Sequence, residues 1–259
     1  VSAGAAPAAG AGAAEGAAPA VSALAAAAAE AGLTGSFAKA SRTQRLIARR
    51  MAEAKREAPE FTVALDVEMD AAVALRAELK AAGGAVPSLN DMVVRAAALA
   101  LRDHPRLNAS WDEEAGGVRT WEQVNVGIAV AAGELLVVPV IRDADRRSLA
   151  ETSGEARALA QAVRERAIAP AQLTGGTFTV SNLGMFGVRH FEAVLNPPQA
   201  AILAVGGLRP VALPRPDGTI AAVTQATLTL TSDHRVVYGA DAAAFLGRLR
   251  ELLEDPARL

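Results

Sequence analysis

The chain contains no cysteine. That excludes disulfides, a thiol nucleophile and thiolate metal ligands. Only three histidines occur, His104, His190 and His234, far apart and in unlike contexts, so no metal site is expected. No apolar run reaches the roughly 18–20 residues that span a bilayer. The alanine-rich start lacks the basic segment of a signal peptide, and the expected location is cytoplasmic. A net charge of -2 gives no electrostatic hold on nucleic acid or membrane.

What remains is enough for a core: 259 residues, 51% apolar, fit one domain with an appendage. Residues 1–40 read as a flexible tail or linker. The first 22 are almost wholly Ala, Gly, Pro and Ser, a composition that cannot bury enough to order itself. Within the tail, Ala23–Ala31 reads as a weak helix ended by Gly32. From residue 41 the pattern changes. Leu46, Ile47, Arg50, Met51 and Ala54 fall at helical spacing, with Ser41 as N-cap and Pro59 as stop. Phe61–Met69 alternates as a strand. Helices follow at Ala71–Ala82 and Ser88–His104, the second capped by Ser88 or Asn90.

Strands are expected at Gly117–Trp121, Val124–Ala131 and Leu135–Ile141, then a helix at Leu149–Ala167. Further strands are expected at Thr177–Ser181 and Ala200–Val205, after a proline-rich hairpin at 209–219, and at Ala226–Ser232. A helix over Ala240–Leu253 closes the chain. Strands joined by both hairpins and helices argue for an α/β fold with a mixed sheet. No Gly-x-Gly-x-x-Gly follows a strand, which disfavours a dinucleotide-binding domain.

Two segments carry chemistry. Thr231-Ser-Asp-His-Arg-Val-Val-Tyr-Gly-Ala-Asp241 puts His234 between an alternating run and a helix-like run, before the turn glycine Gly239. A rigid strand end facing a cleft is where a general base works. Gly175-Gly-Thr-Phe-Thr-Val-Ser-Asn-Leu-Gly-Met-Phe-Gly187 carries a strand into a loop, with Ser181 and Asn182 at the strand end. Gly184 and Gly187 there permit positive φ and close backbone approach.

These segments, with Ile47-Ala-Arg-Arg-Met51, Asn90–Ala98, Asn108-Ala-Ser-Trp111, Val137–Ile141 and Asn196-Pro-Pro-Gln199, make the chain from about residue 41 to 259 resemble the catalytic domain of the acyltransferase (E2) components of 2-oxoacid dehydrogenase complexes. The resemblance implies a chloramphenicol-acetyltransferase-like fold, a homotrimer and active sites in channels between subunits. It implies acetyl-CoA as co-substrate, His234 as general base and Ser181 as the hydroxyl that stabilises the oxyanion. It assigns no CoA-binding residue.

The sequence departs from that family in three ways. The signature His-x-x-x-Asp-Gly reads here His234-Arg-Val-Val-Tyr238-Gly239. Tyr238 therefore replaces an aspartate that holds the loop through an arginine, and the sequence does not identify that arginine. Glu60 stands where the family has histidine in Pro-His-Phe. No lysine lies in the Asp-Lys-Ala setting of a lipoyl turn, so no lipoyl group is expected on this chain. The chain reads either as a free-standing core or as a piece of a longer protein. It stops at Asp255-Pro-Ala-Arg-Leu259 without a leucine-rich plug, so a trimer is expected instead of a larger shell.

The first functional reading is acetyl transfer from acetyl-CoA to a small-molecule hydroxyl, as in the E2-type acetyltransferases of tetronate biosynthesis. The second is an E2 core acylating dihydrolipoamide beside dehydrogenase subunits. The third is an inactive trimeric scaffold.

Overall fold

A computed structural model describes residues 22–133 and 135–259. Most of the tail expected to be flexible lies outside the described residues. The chain divides into two compact units, residues 1–41 and 42–259. The first holds helix α1 (Ala23–Glu30), whose N-cap Ser22 accepts a hydrogen bond from the Ala25 N–H. Gly32 follows in the left-handed region, with φ +68°.

In the second unit α2 (Arg42–Glu57) begins immediately after Ser41. Then come β1 (Glu60–Glu68), α3 (Asp70–Ala81) and α4 (Leu89–Asp103). Ser88 caps α4 by accepting from the Asp91 N–H, while Asp91 accepts from the Ser88 N–H, a reciprocal capping box. Buried Asp91 also accepts from the Ser153 hydroxyl at 2.8 Å, tying α4 to the later helix that holds Ser153. Short strands follow: β2 (Ala109–Asp112), β3 (Gly117–Thr120), β4 (Val126–Ile128), β5 (Val130–Ala132), β6 (Leu135–Val137) and β7 (Val140–Ile141). The chain closes with α5 (Leu149–Arg164), β8 (Phe178–Asn182), β9 (Ala201–Val205), β10 (Arg209–Pro214), β11 (Ile220–Asp233) and α6 (Gly239–Glu254).

Seven strands form one mixed sheet in the order β1-β11-β9-β8-β4-β7, with β10 also on β11. The β4/β8 and β8/β9 pairs are parallel and the others antiparallel. Strand β11 organises the site. Leu228 and Leu230 point into the core shared with Phe245, Leu246 and Leu249 of α6. Thr227, Thr229 and Thr231 alternate with them on the opposite face, as strand geometry requires, and are also buried. Across that second face runs the segment from Val188 to Asn196. Its Val188 carbonyl accepts from the Gly207 N–H, Glu192 accepts from the Thr62 hydroxyl, and the Leu195 N–H donates to Glu60.

Several expected boundaries differ. The run 124–131 breaks into β4 and β5, and 135–141 into β6 and β7. Pro139 lacks an N–H, and the chain kinks beside it so that Ile128 donates to its carbonyl while Ala129 turns to Val180. The expected hairpin at 209–219 contains strand β10, with Pro210 and Pro214 on an edge where a missing N–H is tolerated. The turn follows at Arg215–Thr219, and β11 is one strand from Ile220 onward. Helix α5 stops at Arg164, and Arg166 adopts φ +56°. Among the described residues no helix is long and apolar enough to cross a membrane.

Candidate active site

His234 follows the last residue of β11, and its N–H donates to the Pro59 carbonyl at 3.0 Å. The turn that presents it is built by its neighbours. The buried carboxylate of Asp233 accepts from the Arg235 backbone N–H at 3.0 Å and from its guanidinium at 2.8–3.2 Å. The Asp233 carbonyl accepts from the N–H groups of Val236 and Val237. The carboxylate raises the Arg235 pKa above its ordinary value, chiefly through that hydrogen bond. The Arg235 guanidinium also lies 5.4 Å from the Trp111 ring and 3.5 Å from Glu113. A cavity of about 560 Å³ opens beside the turn, walled by Trp111, Pro197, Pro198, Asp233 and Arg235.

The imidazole itself is exposed. Phe61 lies on one side at 4.6 Å between ring centroids, and Tyr238 on another at 5.6 Å, edge-on. Phe61 is opposite Ser232 in the β1/β11 register, which brings it to the strand end. Behind Tyr238, the Arg106 guanidinium carbon sits 4.8 Å from the ring centroid and pairs with Asp241 at 3.4 Å. The arginine beside Tyr238 thus has a carboxylate partner. Gly239 starts α6, with no positive φ and open space where a Cβ would stand. The expected turn requirement for glycine is absent there.

Glu60, the other departure, is nearly buried. It pairs with Lys55 and accepts from the Leu195 N–H at 3.3 Å, so it anchors the segment crossing the sheet.

Ser181 lies near the end of β8, half-buried, opposite Ala204 of β9. Asn182 beside it donates to Asn90 at 3.0 Å and accepts from the Gly184 N–H at 2.8 Å, closing the turn. Gly184 is required by close approach and not by positive φ: an added Cβ would lie 2.9 Å from the Gly206 carbonyl oxygen. Gly187 does adopt φ +74°. A cavity of about 300 Å³ adjoins this turn, with Asn182, Gly184, Met185, Gly206 and Gly207 in its wall.

The structure therefore makes two groups of the expected residues: His234, Tyr238 and Gly239, and Ser181, Asn182 and Gly184. Sheet register separates them. Ser181 is in line with Ala204 and, through it, with Thr229. His234 lies five positions beyond Thr229 along β11. At about 3.3 Å per residue and about 4.8 Å per strand, the two side chains of one chain are on the order of 20 Å apart. One chain alone cannot bring both to a single carbonyl.

Sequence reasoning assigned no role to Asp233, Arg235, Phe61 or Arg106. Asp233 and Arg235 were findable, since opposite charges directly flank the histidine; Arg106 and Phe61 meet the site only through the fold. His190 is an exposed loop residue. His104 caps the C-terminal end of α4 and meets Phe245 edge-on at 6.0 Å.

Among curated relatives, the acetyltransferase component of the pyruvate dehydrogenase complex of Zymomonas mobilis is 40% identical over 223 residues, 84% of this chain and 50% of that protein. A mitochondrial counterpart from Arabidopsis thaliana, component 3, is 43% identical over 83% of this chain and 41% of its own length. The chain thus spans about half the length of the curated relatives it matches, or less. Among solved structures, a probable dihydrolipoamide acetyltransferase from Listeria monocytogenes superposes with TM-score 0.81 at 31% identity, covering 85% of this chain and 95% of that one. The dihydrolipoamide acetyltransferase of Azotobacter vinelandii gives 0.83 at 27%, covering 87% and 94%. A chloramphenicol acetyltransferase, at TM-score 0.50 and 15% identity over 79% and 94%, shares the fold as a distant neighbour. Residues 36–259 match the 2-oxoacid dehydrogenases acyltransferase (catalytic domain) family, and the chain belongs to that family.

Proposed function

We propose that the chain is the catalytic core of an E2-type acyltransferase that moves an acetyl group between coenzyme A and a dihydrolipoyl thiol. The sequence alone ranks a small-molecule hydroxyl first as acceptor; the relatives reverse that order, because they are acetyltransferase components of pyruvate dehydrogenase complexes. One observation carries the reading. The residue matching the family's base is presented, exposed, on a turn fixed by Asp233 and Arg235 in a chain with that kinship.

With acetyl-CoA as donor, the acceptor sulfur attacks its thioester carbonyl while the thiol proton passes to the His234 imidazole. A neutral imidazole within hydrogen-bond reach can accept it. The carbonyl oxygen takes the electron pair, and the Ser181 hydroxyl donates to that oxyanion. Collapse breaks the carbon–sulfur bond to coenzyme A, and the departing thiolate takes the proton back from the imidazolium. The separation of Ser181 and His234 within one chain supports a site made by His234 of one subunit and Ser181 of the next, in a homotrimer. A monomer is then inactive.

The hydroxyl acceptor, a tetronate in the first reading, stays as the second reading because Tyr238 stands at the histidine in place of the family carboxylate. An assay with acetyl-CoA and either dihydrolipoamide or a hydroxymethyl tetronate separates them. The proposal expects much the higher kcat/KM with dihydrolipoamide, and the opposite preference overturns it.

A further inference from the structure

We propose that Tyr238 is a positioning residue for the His234 imidazole, and that Arg106 holds Tyr238 in place. This rests on the reading of His234 as base.

The torsion that turns an imidazole about its last bond is broad and nearly two-fold. A base on an exposed turn therefore needs something to aim its nitrogen, because proton abstraction demands hydrogen-bond reach. Four residues after the histidine stands the aromatic side chain of Tyr238. The ring contacts on His234 are aromatic: Phe61 at 4.6 Å and 53° between ring planes, Tyr238 at 5.6 Å and 62°. The tilted contact with Phe61 and the edge-on contact with Tyr238 favour one relative ring orientation. Phe61 belongs to the sheet and packs on the core.

Tyr238 does not share that support. It is 47% exposed, so burial alone does not hold it. Two groups do. The Arg106 guanidinium lies over the ring at 4.8 Å, a cation–π distance. Asp241 Oδ2 accepts from the Tyr238 N–H at 3.2 Å and from Arg106 at 3.4 Å, so one carboxylate oxygen ties backbone and guanidinium together. Arg106 is itself fixed between Pro105 and fully buried Leu107 in a 3₁₀ turn. The result is a row of contacts from Phe61 to His234, from His234 to Tyr238 and from Tyr238 to Arg106. The brace orients the imidazole, while Asp233 and Arg235 hold the turn beneath it. The ring, and not the hydroxyl, is the working part.

The test uses the full chain with acetyl-CoA and dihydrolipoamide. Tyr238→Ala lowers kcat about 3- to 10-fold, the loss matching one aromatic contact, with KM for acetyl-CoA unchanged. Tyr238→Phe recovers most of that loss. Arg106→Ala has a smaller effect, and the double variant is no slower than Tyr238→Ala, since the two act in series. Because the chain has three histidines, the His234 ring signal in ¹³C NMR is assigned with His234→Ala. It shifts in Tyr238→Ala, where a neighbouring ring current is gone, and stays near its parent position in Tyr238→Phe. Full kcat in Tyr238→Ala beside an inert His234→Ala control overturns the brace and leaves the base standing. Full turnover in a folded His234→Ala protein overturns both. Losses that add in the double variant overturn the part given to Arg106.

Discussion

Asp233 and Arg235, two residues apart, form a charge-assisted fork that closes the turn carrying His234. The fork lies against Trp111, so the histidine is presented by a rigid support although its own ring is exposed. The loop keeps its shape without a carboxylate at position 238 because this nearer pair holds it.

Arg235→Ala leaves the Asp233 carboxylate, 4% exposed, without its main partner. An unpaired buried charged group costs about 1–3 kcal/mol or more, so the midpoint of denaturant unfolding falls. Arg235→Lys restores little, because an ammonium cannot reproduce the two-pronged contact. Unfolding of Arg235→Ala at the parent midpoint contradicts the account of the turn.

Gly206 marks where the segment from Val188 crosses the sheet. An added Cβ would lie 1.9 Å from the Arg189 carbonyl oxygen, and the clash is with backbone. Gly206→Ala therefore forces the two segments apart and destabilises by about 3 kcal/mol or more, at the large end for single substitutions. Thermal denaturation checks this; a change under about 0.5 kcal/mol, the range of neutral surface sites, contradicts it.

Glu68 on β1 accepts two hydrogen bonds from Arg215, at 2.9 and 2.7 Å. That contact holds its pKa below the ordinary carboxylate value. A depressed folded pKa stabilises above the unfolded value, near 4.3, and the gain disappears as pH falls through the folded pKa. Glu68→Gln is thus less stable than the parent at pH 7, by about 0.5–1 kcal/mol after allowance for solvent screening. The difference closes progressively below about pH 4. A gap that widens on acidification contradicts the sign.

Much of this was legible in the chain. The alternation at Ala226–Thr231 marked β11 because strand periodicity is 2 and both faces are buried by different partners. Ser88, expected with Asn90 as the alternative, marked the start of α4 because a cap is local chemistry. His234 was marked by its place between strand and helix. What stayed hidden depends on distance in sequence. Arg106 reaches Tyr238, and Phe61 reaches His234, only through sheet register and helix packing. Strand β10 was hidden by Pro210 and Pro214, which break central strands and not edges. The placement of Ser181 and His234 at opposite ends of the sheet follows from the antiparallel run of β11 against β8 and β9, which a single sequence does not reveal.

Those two positions give the most direct measurement. His234→Ala lowers kcat by about 10²- to 10⁴-fold, the range for loss of a general base. Ser181→Ala lowers it by about 10²- to 10³-fold, as for removal of one oxyanion donor. If each site takes His234 from one chain and Ser181 from its neighbour, co-refolded mixtures of the two variants contain repaired interfaces. Random assembly at equal proportions makes about one interface in four intact, each intact site drawing one residue from each parent. The account predicts recovery of about a quarter of the unsubstituted protein's activity in the mixture, lost again when the chains are refolded separately. A mixture that stays as inactive as its parents, with subunit exchange shown by mass, contradicts it.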